Sequence, residues 1–149
     1  MKYSFESEKD VIEAAKKFLC KENAPAKFTD PEHSKDFLIL NHGQTKHERF
    51  SVLFLNAKNG LIEHDIMFQG SISNAHIYPR TVAQRALEVN AAAVIFCHNH
   101  PSGDLEPSRA DIDITKRLTK SLVLFDIRVL DHIIIGDGQA LSMASRQLM

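Results

Sequence analysis

Residues 91–111 read Ala91-Ala92-Ala93-Val94-Ile95-Phe96-Cys97-His98-Asn99-His100-Pro101-Ser102-Gly103-Asp104-Leu105-Glu106-Pro107-Ser108-Arg109-Ala110-Asp111. The apolar run from Ala91 to Cys97 predicts a buried strand. On an extended chain, residues i and i+2 face the same side, so His98 and His100 leave the strand end together. Pro101, Gly103 and Pro107 force a turn-rich loop. Ser108 stands where a helix N-cap belongs, ahead of Arg109-Ala110-Asp111-Ile112-Asp113-Ile114. Asp111 falls in the first helical turn, where its carboxylate can bend back toward both imidazoles.

Two imidazoles and one carboxylate are a frequent ligand set for a catalytic zinc, because three protein ligands leave the fourth tetrahedral position to water. Zinc lowers the pKa of that water to about 7. Iron, cobalt or nickel would accept the same donors. Cys97 should face away from His98 and reads as a small core residue. A plainer reading takes the stretch as a Pro/Gly loop followed by a Ser-x-x-Asp capping box. The two readings coexist, since Ser108 can cap the helix and face the metal.

Working outward, Ser7 predicts a helix N-cap, and Val11, Ile12, Ala14, Ala15, Phe18 and Leu19 recur at helical spacing. That helix is expected to stop near Lys21 to Ala24. Residues 25–36 read as a linking stretch, and Phe37-Leu38-Ile39-Leu40 as a short strand or helix end. Phe50 to Ala57 predicts a strand, Asn59-Gly60 a two-residue hairpin turn, and Leu61 to Phe68 the antiparallel return. Gly70-Ser71 breaks it. Pro79 opens a helix carried by Val82, Ala83, Ala86, Leu87 and Asn90. After the motif come a helix from about Arg109 to Ser121, a strand from Arg128 to Ile135, and a short strand near Ala140-Leu141-Ser142-Met143. The expected class is mixed α/β, with the metal site at the end of a central strand.

A chain of 149 residues forms one domain with a substantial core. Cysteines stand only at 20 and 97, which gives no disulfide framework and suits a reducing compartment. With neither a signal peptide nor a membrane-length apolar run, the cytoplasm is the default expectation, without a membrane partner. The net charge is −1, and Lys16-Lys17 and Lys116-Arg117 are isolated basic pairs. Duplex binding normally needs several cations on one face, so the charge does not support a nucleic-acid partner.

The segment from His98 to Asp111 resembles the JAMM motif of MPN-domain metalloproteins. His-Asn-His-Pro-Ser-Gly-Asp-x-x-Pro-Ser is the form seen in the RadC family. The likeness extends to Val52-Leu53-Phe54-Leu55-Asn56-Ala57-Lys58-Asn59-Gly60, Tyr78-Pro79-Arg80 and Asp131-His132-Ile133-Ile134-Ile135-Gly136, covering roughly residues 29 to 145. It implies the MPN fold, a curved β-sheet flanked by helices. Residues 1–28 are then an N-terminal helical extension, and residues 29–149 the domain.

The resemblance also implies a proton acceptor. In MPN proteins this is a glutamate just before the first hairpin strand, and Glu48 takes that place. Taken alone, Glu48 reads as a solvated charge between His47 and Arg49. Glu63 competes for the role but sits mid-strand beyond the turn. Ser108 would donate a hydrogen bond to a developing oxyanion. Asp104 and Glu106 fit loop turn chemistry, with Asp104 able to hold an imidazole N–H from behind. Asp131-His132 reads as a satisfied polar pair, or else as support for the neighbouring site. Arg80 reads as solvated rather than substrate-binding. His33, His42, His47, His64 and His76 have no spacing that suggests a second metal site.

Three functions follow as expectations. The first is a zinc-dependent hydrolase of peptide or isopeptide bonds, with His98, His100 and Asp111 as ligands and Glu48 and Ser108 catalytic. The second is a DNA-repair-associated binding protein without hydrolase activity. Longer RadC-like proteins resemble a fusion with a helix-hairpin-helix region, and residues 1–28 are too few to hold one. The third is a zinc kept only for stability, which would unfold the chain on chelation without turnover. The sequence leaves the substrate and the oligomeric state open.

Overall fold

In the computed structural model, which describes residues 7–19, 26–42, 45–70 and 77–149, nine elements follow one another. They are α1 (Glu8–Leu19), α2 (Pro31–His42), β1 (Arg49–Leu55), β2 (Leu61–Gln69), α3 (Pro79–Glu88), β3 (Ala93–Asn99), α4 (Arg109–Val123), β4 (Arg128–Gly136) and β5 (Gln139–Ser142). The strands form one mixed sheet in the order β2-β1-β3-β4-β5. β3 and β4 are parallel and the other neighbours antiparallel. A strand with helices over both faces has no solvated side, so β3 is buried at every position, as its unbroken apolar run requires.

Alternation along β1 and β3 divides the core. Phe50, Val52, Phe54, Val94 and Phe96 pack on one face with Val82, Ala83 and Ala86 of α3 and Leu118 and Leu122 of α4. Leu53, Leu55, Ile95, Cys97, Ile133 and Ile135 pack on the other with Phe28, Phe37 and Leu38. Cys97 is thus a core residue as expected, and burial pushes its thiol up into the unreactive range. Leu87, expected on the core side of α3, is half exposed.

α2 corrects the reading of residues 25–36 as a linking stretch, because residues 31–36 form its first half. Its start carries a clear signal: Pro31 opens the helix and the Asp30 carboxylate accepts the Glu32 N–H at 3.0 Å. The face it buries consists of Ser34, Phe37, Leu38 and His42. Half of that face is polar, so apolar periodicity does not reveal it. The hairpin connection is also longer than the expected two residues. Residues 56–60 form it, with Asn59 left-handed at φ 58° and the Asn56 side chain accepting the N–H groups of Lys58 and Gly60. The predicted stop of the first helix at Lys21 to Ala24 lies outside the described residues. Among the described residues, no helix is long and apolar enough to cross a membrane.

His42 is buried against β1, with its Nε2 2.7 Å from Ser51 Oγ and the His64 ring 5.6 Å away. Burial, reinforced by His64 and Arg49, lowers its pKa to about 4. The unfolded chain takes up this proton near pH 6.5 but the folded chain only near pH 4. Stability is therefore complete above pH 6.5, falls as the pH drops toward 4, and His42 contributes a loss of about 3 kcal/mol. Urea unfolding between pH 7 and 4 should show this slope, to which buried His64 and His132 contribute in the same direction, and His42→Gln should make it shallower without abolishing it.

Candidate metal centre

β3 delivers the two histidines. His98 is fully buried on the α3/α4 face, and His100 lies one residue past the strand, its N–H donating to Ile135 O at 2.7 Å. Their rings sit 4.7 Å apart between centroids, and the two Nε2 atoms face each other at 2.8 Å. Behind His100, its Nδ1 meets the Asp104 carbonyl oxygen at 2.6 Å. Asp104 thus holds the imidazole through its backbone, while its side chain accepts the Glu106 N–H as turn chemistry.

The motif loop reaches α4 through a reciprocal cap. The Asp111 N–H donates to Ser108 Oγ at 3.1 Å, and the Ser108 N–H donates to Asp111 Oδ2 at 2.7 Å. This cap aims the buried Asp111 carboxylate at both rings, with Oδ1 3.3 Å from His98 Nε2 and Oδ2 3.4 Å from His100 Nε2. The helix cap and the approach of Asp111 to both imidazoles are therefore one geometry.

Glu48 arrives from the start of β1. Phe50 pairs with His98, so Glu48, two residues earlier, comes to the same face beside His100. Ligand atoms of Glu48, His98 and His100 all lie within 4.8 Å of one another. Asn99, the middle residue of His-x-His, holds this strand start from the opposite face. Its Oδ1 accepts the Arg49 N–H at 2.8 Å and its Nδ2 donates to the His47 carbonyl at 3.1 Å, bracketing Glu48. Sequence reading missed Asn99, because its partners lie some fifty positions away.

His132 also joins the site. Val94 pairs with Val129 but Ile95 with Asp131, so β4 accommodates one extra residue there. Such a bulge reverses the alternation beyond it. It turns His132 onto the His98 face, its Nε2 2.7 Å from His98 Nδ1, and turns Asp131 away. The Asp131 carboxylate accepts the His132 and Ala144 N–H groups and the Ser142 hydroxyl, so it makes no pair with the imidazole. Site support replaces the polar-pair reading for His132.

The competing residues lie elsewhere. Glu63 forms an ion pair with Arg85 at 2.6 Å, and Arg80 is exposed at the start of α3. His42 and His64 face each other behind the sheet, and His76 lies outside the described residues.

Burial alone would raise the Asp111 carboxyl, but hydrogen bonds to His100 and His98 hold it far below the usual carboxylate range. His100 is raised, chiefly by its hydrogen bond to Asp111. Burial keeps His132 well below its ordinary value and therefore neutral. The two ring nitrogens, 2.8 Å apart, share a proton in the metal-free chain, and a divalent metal ion fits the same nitrogen and oxygen donors in its place.

A cleft of about 460 Å³ opens beside His100, between the end of α2 and the motif loop. Its floor is a close backbone contact: a Cβ added at Gly136 would lie 2.6 Å from Gly103 O. Gly136→Ala should push back the loop that supplies the Asp104 carbonyl to His100. We expect zinc affinity to fall at least about ten-fold, as for loss of a ligand's supporting partner. Chelator competition measures it.

A mixed sheet with helices on both faces and a His-x-His pair at the end of its central strand defines an α/β domain of the JAB, or MPN, class. The chain belongs to the RadC-like JAB domain family, whose family model matches residues 28–148. It is 49% identical over 141 residues to a UPF0758 protein of Paracidovorax citrulli, covering 93% of this chain and 59% of that one. Identity is 51% over 119 residues with a UPF0758 protein of Marinobacter nauticus, covering 80% and 53%. For one from Cellvibrio japonicus it is 52% over 118 residues, covering 79% and 53%. The chain thus spans about half the length of the curated relatives it matches.

Proposed function

We propose that this domain is a zinc-dependent hydrolase of peptide or isopeptide bonds. The observation that carries the reading is that two carboxylates, Glu48 just before β1 and Asp111 in the first turn of α4, each approach the paired ring nitrogens of His98 and His100 at the end of β3. The JAMM resemblance supports the bond class. His98 Nε2, His100 Nε2 and the Asp111 carboxylate would hold the metal, which supplies Lewis acidity and an activated water.

Glu48 acts as the general base. It stands within the cluster yet is half-buried, so it keeps access to solvent while Asp111 is enclosed. As water adds to the amide carbon, one water proton passes to the Glu48 carboxylate. When the carbon–nitrogen bond breaks, that proton passes to the leaving nitrogen, giving a free amine and a carboxylic acid, whose remaining proton, the second from the water, is then lost to the amine or to solvent. The Ser108 oxygen accepts the Asp111 N–H, and its own O–H donates to the oxygen that gains charge as the carbonyl becomes tetrahedral.

The test is a panel of linear and isopeptide-linked peptides incubated with zinc-loaded protein in ¹⁸O-labelled water. Product carboxylates carrying ¹⁸O, formed with zinc and lost on chelation, are expected. Stoichiometric zinc with no labelled product across the panel contradicts the hydrolase reading and leaves a stabilising zinc.

A further inference from the structure

His98 donates nothing toward the proposed metal unless its Nε2 carries a lone pair rather than a proton. We propose that Thr115 and His132 form a hydrogen-bond relay that fixes His98 as the Nδ1–H tautomer and keeps its Nε2 free for a metal ion. The inference rests on reading the cluster as a metal centre, but the relay is a property of the metal-free fold.

From Thr115 as far as His98, the direction of each proton follows from one fixed acceptor. The Asp111 carbonyl oxygen can only accept, and Thr115 Oγ1 lies 2.6 Å from it, so the hydroxyl donates there. Having committed its one proton, Thr115 Oγ1 can only accept from His132 Nδ1, 2.5 Å away. His132 therefore carries its proton on Nδ1. As a neutral imidazole it presents a bare Nε2, which accepts from His98 Nδ1 at 2.7 Å. A neutral His98 so arranged has its lone pair on Nε2, the atom facing His100 Nε2 and Asp111 Oδ1.

No water competes along this path, because Thr115, His132 and His98 are each 0% exposed. Phe50 and Phe96 stand nearly perpendicular to the His132 ring at 5.7 and 5.8 Å, which holds its plane. The other acceptor near the hydroxyl is Met143 Sδ at 3.9 Å, a weak one that does not divert the proton. The relay starts on the backbone of Asp111 and ends on His98, so it ties one proposed ligand residue to another across α4, β4 and β3. Thr115 and His132 are positioning residues, not catalytic ones. A free histidine in water favours the opposite tautomer, so without the relay His98 pays a cost on binding metal.

Long-range ¹H–¹⁵N correlation spectra of the metal-free protein read the tautomer directly and need no variant. His98 protonated on Nδ1 is expected, and a proton on Nε2 with a bare Nδ1 overturns the proposal. Thr115→Val removes the hydroxyl at nearly constant volume. It should give a mixed His98 tautomer and a zinc affinity lower by about ten- to a hundred-fold, while Thr115→Ser keeps both near native. A folded Thr115→Val chain with the native tautomer and native zinc affinity also overturns it. If the native chain takes up no zinc, the metal reading fails by itself, and the tautomer shift in Thr115→Val alone decides the relay.

Discussion

Glu48→Gln is expected to lower amide hydrolysis by about 10² to 10⁴-fold while leaving zinc uptake at its native level. The substitution keeps the size of the side chain and removes its basicity. Asn99 holds the backbone on both sides of position 48, so the new amide should occupy the same place. The measurement pairs turnover of a cleaved peptide with zinc content on one preparation. Native turnover would remove Glu48 from the role of base. Zinc lost along with turnover would make it a ligand instead, an assignment compatible with its position within 4.8 Å of His98 and His100.

Asp111→Asn should weaken zinc binding by at least about a hundred-fold, the upper end of what loss of a mere supporting partner costs. An amide oxygen at the same place can still accept the Ser108 N–H, so the helix start survives. What disappears is the negative charge lying 3.3 and 3.4 Å from the two ring nitrogens. The readouts are zinc affinity by chelator competition and folding by circular dichroism. Native affinity in a folded Asp111→Asn chain would place the third ligand elsewhere, with Glu48 the remaining carboxylate of the cluster.

The legible part of this site shares one property: each feature depends on chain-local geometry. His98, His100, Ser108 and Asp111 lie within one strand, one loop and one helical turn, where residue spacing dictates direction. Glu48 was placed by resemblance to MPN proteins, because its nearness to His100 depends on the pairing of β1 with β3. His132 depends on a bulge that shifts the parity of β4, and no apolar pattern in Arg128 to Gly136 marks where it falls. Asp104 was a reasonable candidate for holding His100, but a sequence suggests side-chain chemistry first, and here the backbone carbonyl does it.

The same distinction explains the fold. β3 was legible because burial on both faces leaves an apolar run with nothing to interrupt it. α2 was not, because Ser34 and His42 occupy half of its buried face, although Asp30-Pro31-Glu32 marks its start. The Asn59-Gly60 pair pointed correctly to a hairpin, but the Asn56 side chain organises a longer turn.

Metal content by plasma mass spectrometry, on native protein and His100→Ala after exposure to zinc and removal of the excess, tests the central claim most directly. The convergence of His98, His100 and Asp111 predicts one zinc per chain in the native protein and none in the variant. A folded native chain that retains no metal, or a variant that retains as much as the native, would contradict it.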